Sequence, residues 1–157
     1  MWGCRLKTAA ALGFPLLISA SAALAQEREW SFDTGGEDAY LVFGVPETDD
    51  VGVSFWCAVG TGEIRIFLPE AGEKLASDKP VKVDIGVGAD HFTLDGTTAP
   101  NAESGSTSTE VHIETSNPLV PALSAADRFT VKIGKEESVF PLEGADFDSL
   151  LRVCSRS

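Results

Sequence analysis

Trp56, Arg65 and Phe67 are the residues of this chain whose types and spacing best suit molecular recognition. They sit on two stretches of alternating polarity, Val51 to Ala58 and Glu63 to Leu68. Paired as antiparallel strands, these stretches put Trp56 opposite Arg65 and Ser54 opposite Phe67, all on the face away from Cys57. A guanidinium over an indole is a cation–π pair, and exposed aromatics with arginine mark surfaces that recognise partners. The competing expectation is that a second layer or a loop covers Trp56 and Phe67, and burial is the reading this pattern favours.

Catalytic constellations are absent at the level of motifs. The chain has no C-x-x-C, H-E-x-x-H or G-x-S-x-G pattern and no phosphate-binding glycine loop. His91 and His112 are its two histidines. His112 alternates with Val111 and Ile113, which turns it to solvent beside Glu110 and Glu114, and His91 falls at an expected turn. Asp84, Asp90 and Asp95 would approach one another on a hairpin over 81–94, and calcium takes such oxygen ligands. Their spacing matches no calcium loop, however, and Asp95-Gly96 and Asp49-Asp50 read as turn chemistry. No metal and no cofactor is expected.

The first 25 residues read as an export signal. Arg5 and Lys7 precede an apolar run from Thr8 to Ile18, and Ala23-Leu24-Ala25 forms a small-residue cleavage site, with Ala20-Ser21-Ala22 as an alternative. A membrane-spanning helix needs ~20 strongly apolar residues, and Thr8 to Ala25 is shorter and interrupted by Pro15, Ser19 and Ser21. Cys4 precedes the apolar run and is no lipoprotein cysteine. Cleavage leaves 26–157 as one domain, periplasmic or secreted, with no membrane span. It removes Arg5 and Lys7 from 12 basic residues and none of the 24 acidic ones, so the mature net charge is −14. That charge repels nucleic-acid backbones and anionic lipid and is compatible with a cationic protein or peptide partner.

Cys57 and Cys154 remain after cleavage, an even pair in an oxidising compartment. Cys57 lies on the apolar face of its strand. Phe147, Leu150, Leu151 and Cys154 fall at i, i+3, i+4 and i+7, one face of a C-terminal helix. Asp146 is its expected N-cap, and Arg152 and Arg156 suit its far end. Both cysteines face inward, so a disulfide between them is expected.

Further alternation marks Val81 to Val87, Val111 and Ile113, Phe129 to Ile133, and Ser138 to Leu142 after a Gly134-Lys135 turn. Ala39 to Val45 is a less regular early strand. A two-residue type II′ turn at Gly60 is expected to close the first hairpin. A turn around Ala89-Asp90 would set Phe92 against Val87 and Leu94 against Ile85. Asn101 to Thr109 is polar and reads as a mobile surface loop, and Leu119 to Asp127 as a short helical turn. The fold expected is mainly β: an antiparallel β-sandwich or barrel with a short C-terminal helix.

The segments Tyr40 to Pro46, Asp49 to Cys57 and Phe140 to Cys154 resemble a group of small exported proteobacterial β-rich proteins with no assigned activity. Cys57 through Leu68 is also similar in outline to small periplasmic lysozyme inhibitors, β-barrels in which a cysteine-bearing strand enters a glycine turn. Those proteins carry a Ser-Gly and tyrosine signature, whereas here Ser104-Gly105 has no nearby tyrosine. The leading expectation is a non-catalytic binding or accessory module. An inhibitor of a basic cell-wall hydrolase is the first alternative, and a secreted enzyme built on His91 or His112 is the second.

Overall fold

The computed structural model describes residues 27–70, 75–102 and 105–156. The export signal expected over 1–25 lies outside the described residues. Nine strands and two helices follow in the order β1 (Glu29–Gly35), β2 (Asp38–Gly44), β3 (Val51–Ala58), β4 (Glu63–Leu68), β5 (Pro80–Val87), β6 (Asp90–Asn101), β7 (Ser106–Glu114), α1 (Leu119–Ser124), β8 (Arg128–Ile133), β9 (Glu136–Pro141) and α2 (Phe147–Cys154). All strands join one antiparallel sheet in the spatial order β1-β2-β3-β4-β7-β6-β5-β8-β9. The sheet curls into a half-barrel. Of the two architectures left open by the sequence, the chain takes the barrel-like one.

Curling brings inward faces from distant strands together. Phe55 of β3 meets Phe129 of β8 at 6.2 Å between ring centroids. Phe147 of α2 packs edge-on against Phe55 at 5.0 Å. Alternation drives this arrangement: Val53, Phe55, Cys57, Ile64, Ile66, Val83, Ile85, Val111, Phe129 and Val131 are all buried, and each alternates with a more exposed neighbour. Fully burying one such side chain contributes about 1.5 to 3 kcal/mol. The concave face is therefore the core.

Two connections cross strands, one at each end of the sheet. Between β7 and β8 the chain passes over β6 and β5 and forms α1, whose Leu119, Val120 and Leu123 are buried. At the opposite end, Pro69, Leu75 and Ala76 of the β4–β5 connection lie against β6 and β7. Here hydroxyl and amide side chains receive the crossing backbone. Thr98 Oγ1 donates to Ala76 O at 2.7 Å, Thr107 Oγ1 to Leu75 O at 2.9 Å, and Asn101 Nδ2 to Pro69 O at 3.0 Å. This corrects the expected loop over Asn101 to Thr109. Most of that stretch forms the ends of β6 and β7, with Thr107, Ser108 and Thr109 buried. Its polarity supplies donors to the carbonyls of the crossing backbone.

Three local expectations also change. In the β5–β6 hairpin, Ile85 faces Phe92 and Val83 faces Leu94, two residues away from the expected register. Gly88, at φ +60°, permits a tight Gly88-Ala89 turn, and a slip of two leaves every side chain on its face. Asp95-Gly96 is strand, not turn. A Cβ on Gly96 would sit 3.1 Å from Glu110 O, a tight fit that glycine avoids. The β3–β4 hairpin keeps its expected register, Ser54↔Phe67, Phe55↔Ile66 and Trp56↔Arg65. Its connection is the longer Val59–Gly62 loop instead of a two-residue turn.

That loop has a second task. Gly60 and Gly62 sit at φ +71° and +78°, which turns their amides towards the end of α2. Gly60 N donates to Val153 O at 3.0 Å and Gly62 N to Cys154 O at 2.8 Å. These bonds occupy carbonyls that a helix C-terminus leaves without intrahelical partners. Beside them Cys57 and Cys154 form the disulfide, with Cα atoms 5.8 Å apart. At the other end of α2, Asp146 accepts from Ser149 N at 2.9 Å, the expected N-cap.

Candidate functional site

The convex face of β2, β3, β4 and β7 carries a row of side chains set in register across four strands. Tyr40 pairs with Trp56, Trp56 with Arg65, and Arg65 with His112. Each lies at an outward position because its strand neighbours Leu41, Phe55, Ile66 and Val111 fill the core. At the outward positions, Trp56, Arg65, Phe67 and Glu110 are half-buried and His112 and Glu114 exposed, while Ser108 near the start of β7 is buried. Among the described residues no second sheet or helix lies over this face, and the Trp56, Arg65 and Phe67 side chains stand between the expected burial and full exposure.

The row is held by contacts among its own members. The Arg65 guanidinium carbon lies 4.6 Å from the Trp56 ring centroid. Tyr40 stacks on Trp56 with centroids 6.2 Å apart and an interplanar angle of 19°. Trp56 thus has an arginine on one side and a phenol on the other. His112 stands between two carboxylates, its Nδ1 3.0 Å from Glu63 Oε1 and its Nε2 2.6 Å from Glu110 Oε1. A neutral imidazole donates to one of these and the cation to both. Arg65 approaches the same two glutamates at 3.5 and 3.8 Å.

Exposed ion pairs of this kind contribute ~0 to 1 kcal/mol each. Their consequence is geometric: the arginine and imidazole are oriented by the same two carboxylates. Next to the row, the Tyr40 hydroxyl lies 3.3 Å from Asp38 Oδ2. Desolvation, with the Asp38 charge and its hydrogen bond, raises the Tyr40 pKa above the ordinary phenol value. Tyr40 therefore remains a neutral donor well above pH 7. A groove of about 330 Å³ lined by Trp56, Thr61, Glu63, Arg65 and Arg156 continues the row towards the disulfide.

The structure gathers the three recognition residues expected from sequence, Trp56, Arg65 and Phe67, onto one face. It adds Tyr40, Glu63, Glu110 and His112. Tyr40 could be found only through the β2–β3 register, which no short-range signal in the sequence fixes. The expected solvent exposure of His112 holds, although its partners are Glu63 and Glu110 and not Glu114.

Other chemistry-bearing residues stay apart. Asp84 accepts from Thr93 Oγ1 at 2.6 Å, and Asp95 pairs with Lys82. Among the described residues no group of three or more His, Cys, Asp or Glu is placed to hold a metal ion. His91 lines a shallow groove of about 640 Å³ with Asp127, Arg128 and Thr130. Among the described residues, neither histidine is hydrogen-bonded to a hydroxyl or thiol, the pairing that activates a nucleophile.

No protein-family model and no curated protein matches the chain. Among solved structures it is similar to invasion associated protein B from Bartonella henselae. The two share 17% identity over 80% of this chain and 93% of that one, with a TM-score of 0.48.

Proposed function

We propose that this is an exported, non-catalytic binding module, released by cleavage after Ala25, whose convex face docks a cationic protein or peptide in the periplasm or outside the cell. The observation that carries the reading is the uncovered row Tyr40–Trp56–Arg65–His112. Aromatic side chains, and an arginine already held by Glu63 and Glu110, lose little conformational freedom on binding, and such residues dominate interface energetics. Charge supports the choice of partner. Asp38, Glu63, Glu110 and Glu114 surround the row, and the mature chain carries −14. The Cys57–Cys154 disulfide suits an oxidising compartment. No helix among the described residues is long and apolar enough to cross a membrane.

Affinity capture from an envelope extract tests this. The oxidised protein serves as bait beside the Trp56→Ala and Arg65→Ala variants. A basic protein retained by the parent and lost by both variants is the expected result. Equal retention by all three baits removes the convex face from the proposal. If the captured protein is a cell-wall hydrolase, titrating its activity with bait separates inhibition from simple docking. Turnover of a secreted-hydrolase substrate that disappears on replacing His91 or His112 would replace binding with catalysis.

A further inference from the structure

A second surface lies on the open edge of β9, and the half-barrel treats its two edges differently. On β1, the Asp33 carboxylate takes the amide of Thr34 at 2.8 Å, which blunts that edge. On β9, Pro141 turns its carbonyl outward, where it accepts from Trp30 Nε1 at 2.7 Å. Along a strand the N–H and C=O of one residue point to the same side, and the side alternates with each residue. The outward carbonyl of Pro141 therefore places the main-chain groups of Val139 and Glu137 on the same open edge. The Ile133↔Glu136 closure of the β8–β9 hairpin requires the same alternation. Pro141 lacks an N–H, as suits an edge position.

Among the described residues, neither the Val139 nor the Glu137 amide has a partner on that side. Val139 is 57% exposed, more than Tyr40 or Val59. A cavity of about 290 Å³ borders this edge, with Phe43, Leu68, Val131, Ile133 and Phe140 among its walls. Three charged residues line it. Arg28 is already held by Asp50, with Nε 2.9 Å from Oδ1, which leaves Glu70 and Glu136 as the uncompensated charges. Glu137 adds a third carboxylate on the strand itself.

From this geometry we infer that the β9 edge takes an extended, basic segment of a partner protein, added as a tenth strand. Main-chain bonds would form to Glu137 and Val139. Alternate apolar side chains would fall on the cavity wall, and the intervening lysine or arginine side chains would lie on the other face beside Glu137. This surface is separate from the convex row, and its test does not depend on that reading.

The probe is a synthetic alternating lysine–valine heptapeptide titrated into the oxidised protein. Binding is followed by calorimetry and by amide exchange of residues 136–141. Val139→Pro and Glu137→Pro each delete an outward N–H without touching the β8 ladder. Each is expected to weaken binding by about tenfold. In the parent, the Glu137 and Val139 amides become protected at saturating peptide. A lysine peptide of equal charge, interrupted by proline, should bind at least tenfold more weakly. Equal binding by that peptide, or amides that exchange freely at saturation, overturns the inference. A dimer closed through β9, detected by sedimentation, also overturns it.

Discussion

The indole nitrogen of Trp30 on β1 donates to the carbonyl oxygen of Pro141 on β9 at 2.7 Å, joining the first and last strands of the sheet. The two strands are otherwise unpaired edges. The Trp30 ring also packs against Phe43, Phe55 and Phe147, with centroids 5.3, 6.2 and 6.0 Å away. One side chain thus bridges the two edges at a single point and continues the core. Trp30→Phe keeps most of the packing and loses the bond. It should cost about 1 kcal/mol, read as a lower urea midpoint with an unchanged slope.

The disulfide spans 97 residues. On the chain-entropy model, a cross-link of that length restricts the unfolded chain by about 4 to 5 kcal/mol. The double variant Cys57→Ala with Cys154→Ala should lose most of that stability in chemical denaturation. A loss below about 1 kcal/mol would show that the link contributes little beyond the loop–helix hydrogen bonds beside it.

Trp56→Ala removes one cation–π contact and one aromatic stack at a half-buried position. Those contacts are worth roughly 0.5 to 1.5 kcal/mol each, so thermal melting should show a loss of about 1 to 3 kcal/mol with the fold intact. Capture of the partner should fail in the same variant. A loss above about 4 kcal/mol would mark Trp56 as core and remove it from the docking surface.

Two threonines facing the same end of the interior should respond in opposite ways. Thr98 Oγ1 donates to Ala76 O and accepts from Lys79 N at 3.0 Å. Thr109 Oγ1 is buried with no partner. Thr98→Val removes both bonds at a buried side chain and should cost about 1 to 2 kcal/mol, whereas Thr109→Val should be neutral or stabilising. Denaturation curves of the two variants, measured side by side, decide this.

Asp146 supplies the pH-dependent prediction. Its side-chain and backbone hydrogen bonds with Ser149 lower its carboxyl pKa below the ordinary aspartate value, and Arg152 assists. A carboxylate lowered in the folded state stabilises the protein above its unfolded pKa and loses that contribution as pH falls through the folded value. Asp146→Ala should cost about 1 kcal/mol at neutral pH. The gap to the parent should narrow as the solution is acidified below pH 4.

Strand alternation carried most of the fold. The β3–β4 register, the inward cysteines and the capped terminal helix all follow from apolar residues repeating at period two or near four. Alternation does not pick out β1, where Trp30 and Phe32 form too short a run before Gly35-Gly36. Composition misleads over Asn101 to Thr109, because serine and threonine usually mark solvent, and here they serve a backbone that crosses above them. At the recognition face the sequence supplies the Trp56–Arg65 pair and nothing of Tyr40. Tyr40 arrives through a strand pairing fixed by a remote turn.

The amides of Gly60 and Gly62 that seat the end of α2 have a consequence for the order of assembly. Their acceptors are Val153 and Cys154, so the first well-formed hairpin acquires its last partners only when the final few residues have been made. Such closures, far apart along the chain, favour slow folding. A nascent chain lacking its last dozen residues is without Phe147, Leu150 and Cys154, which belong to the same core as the sheet's inward face.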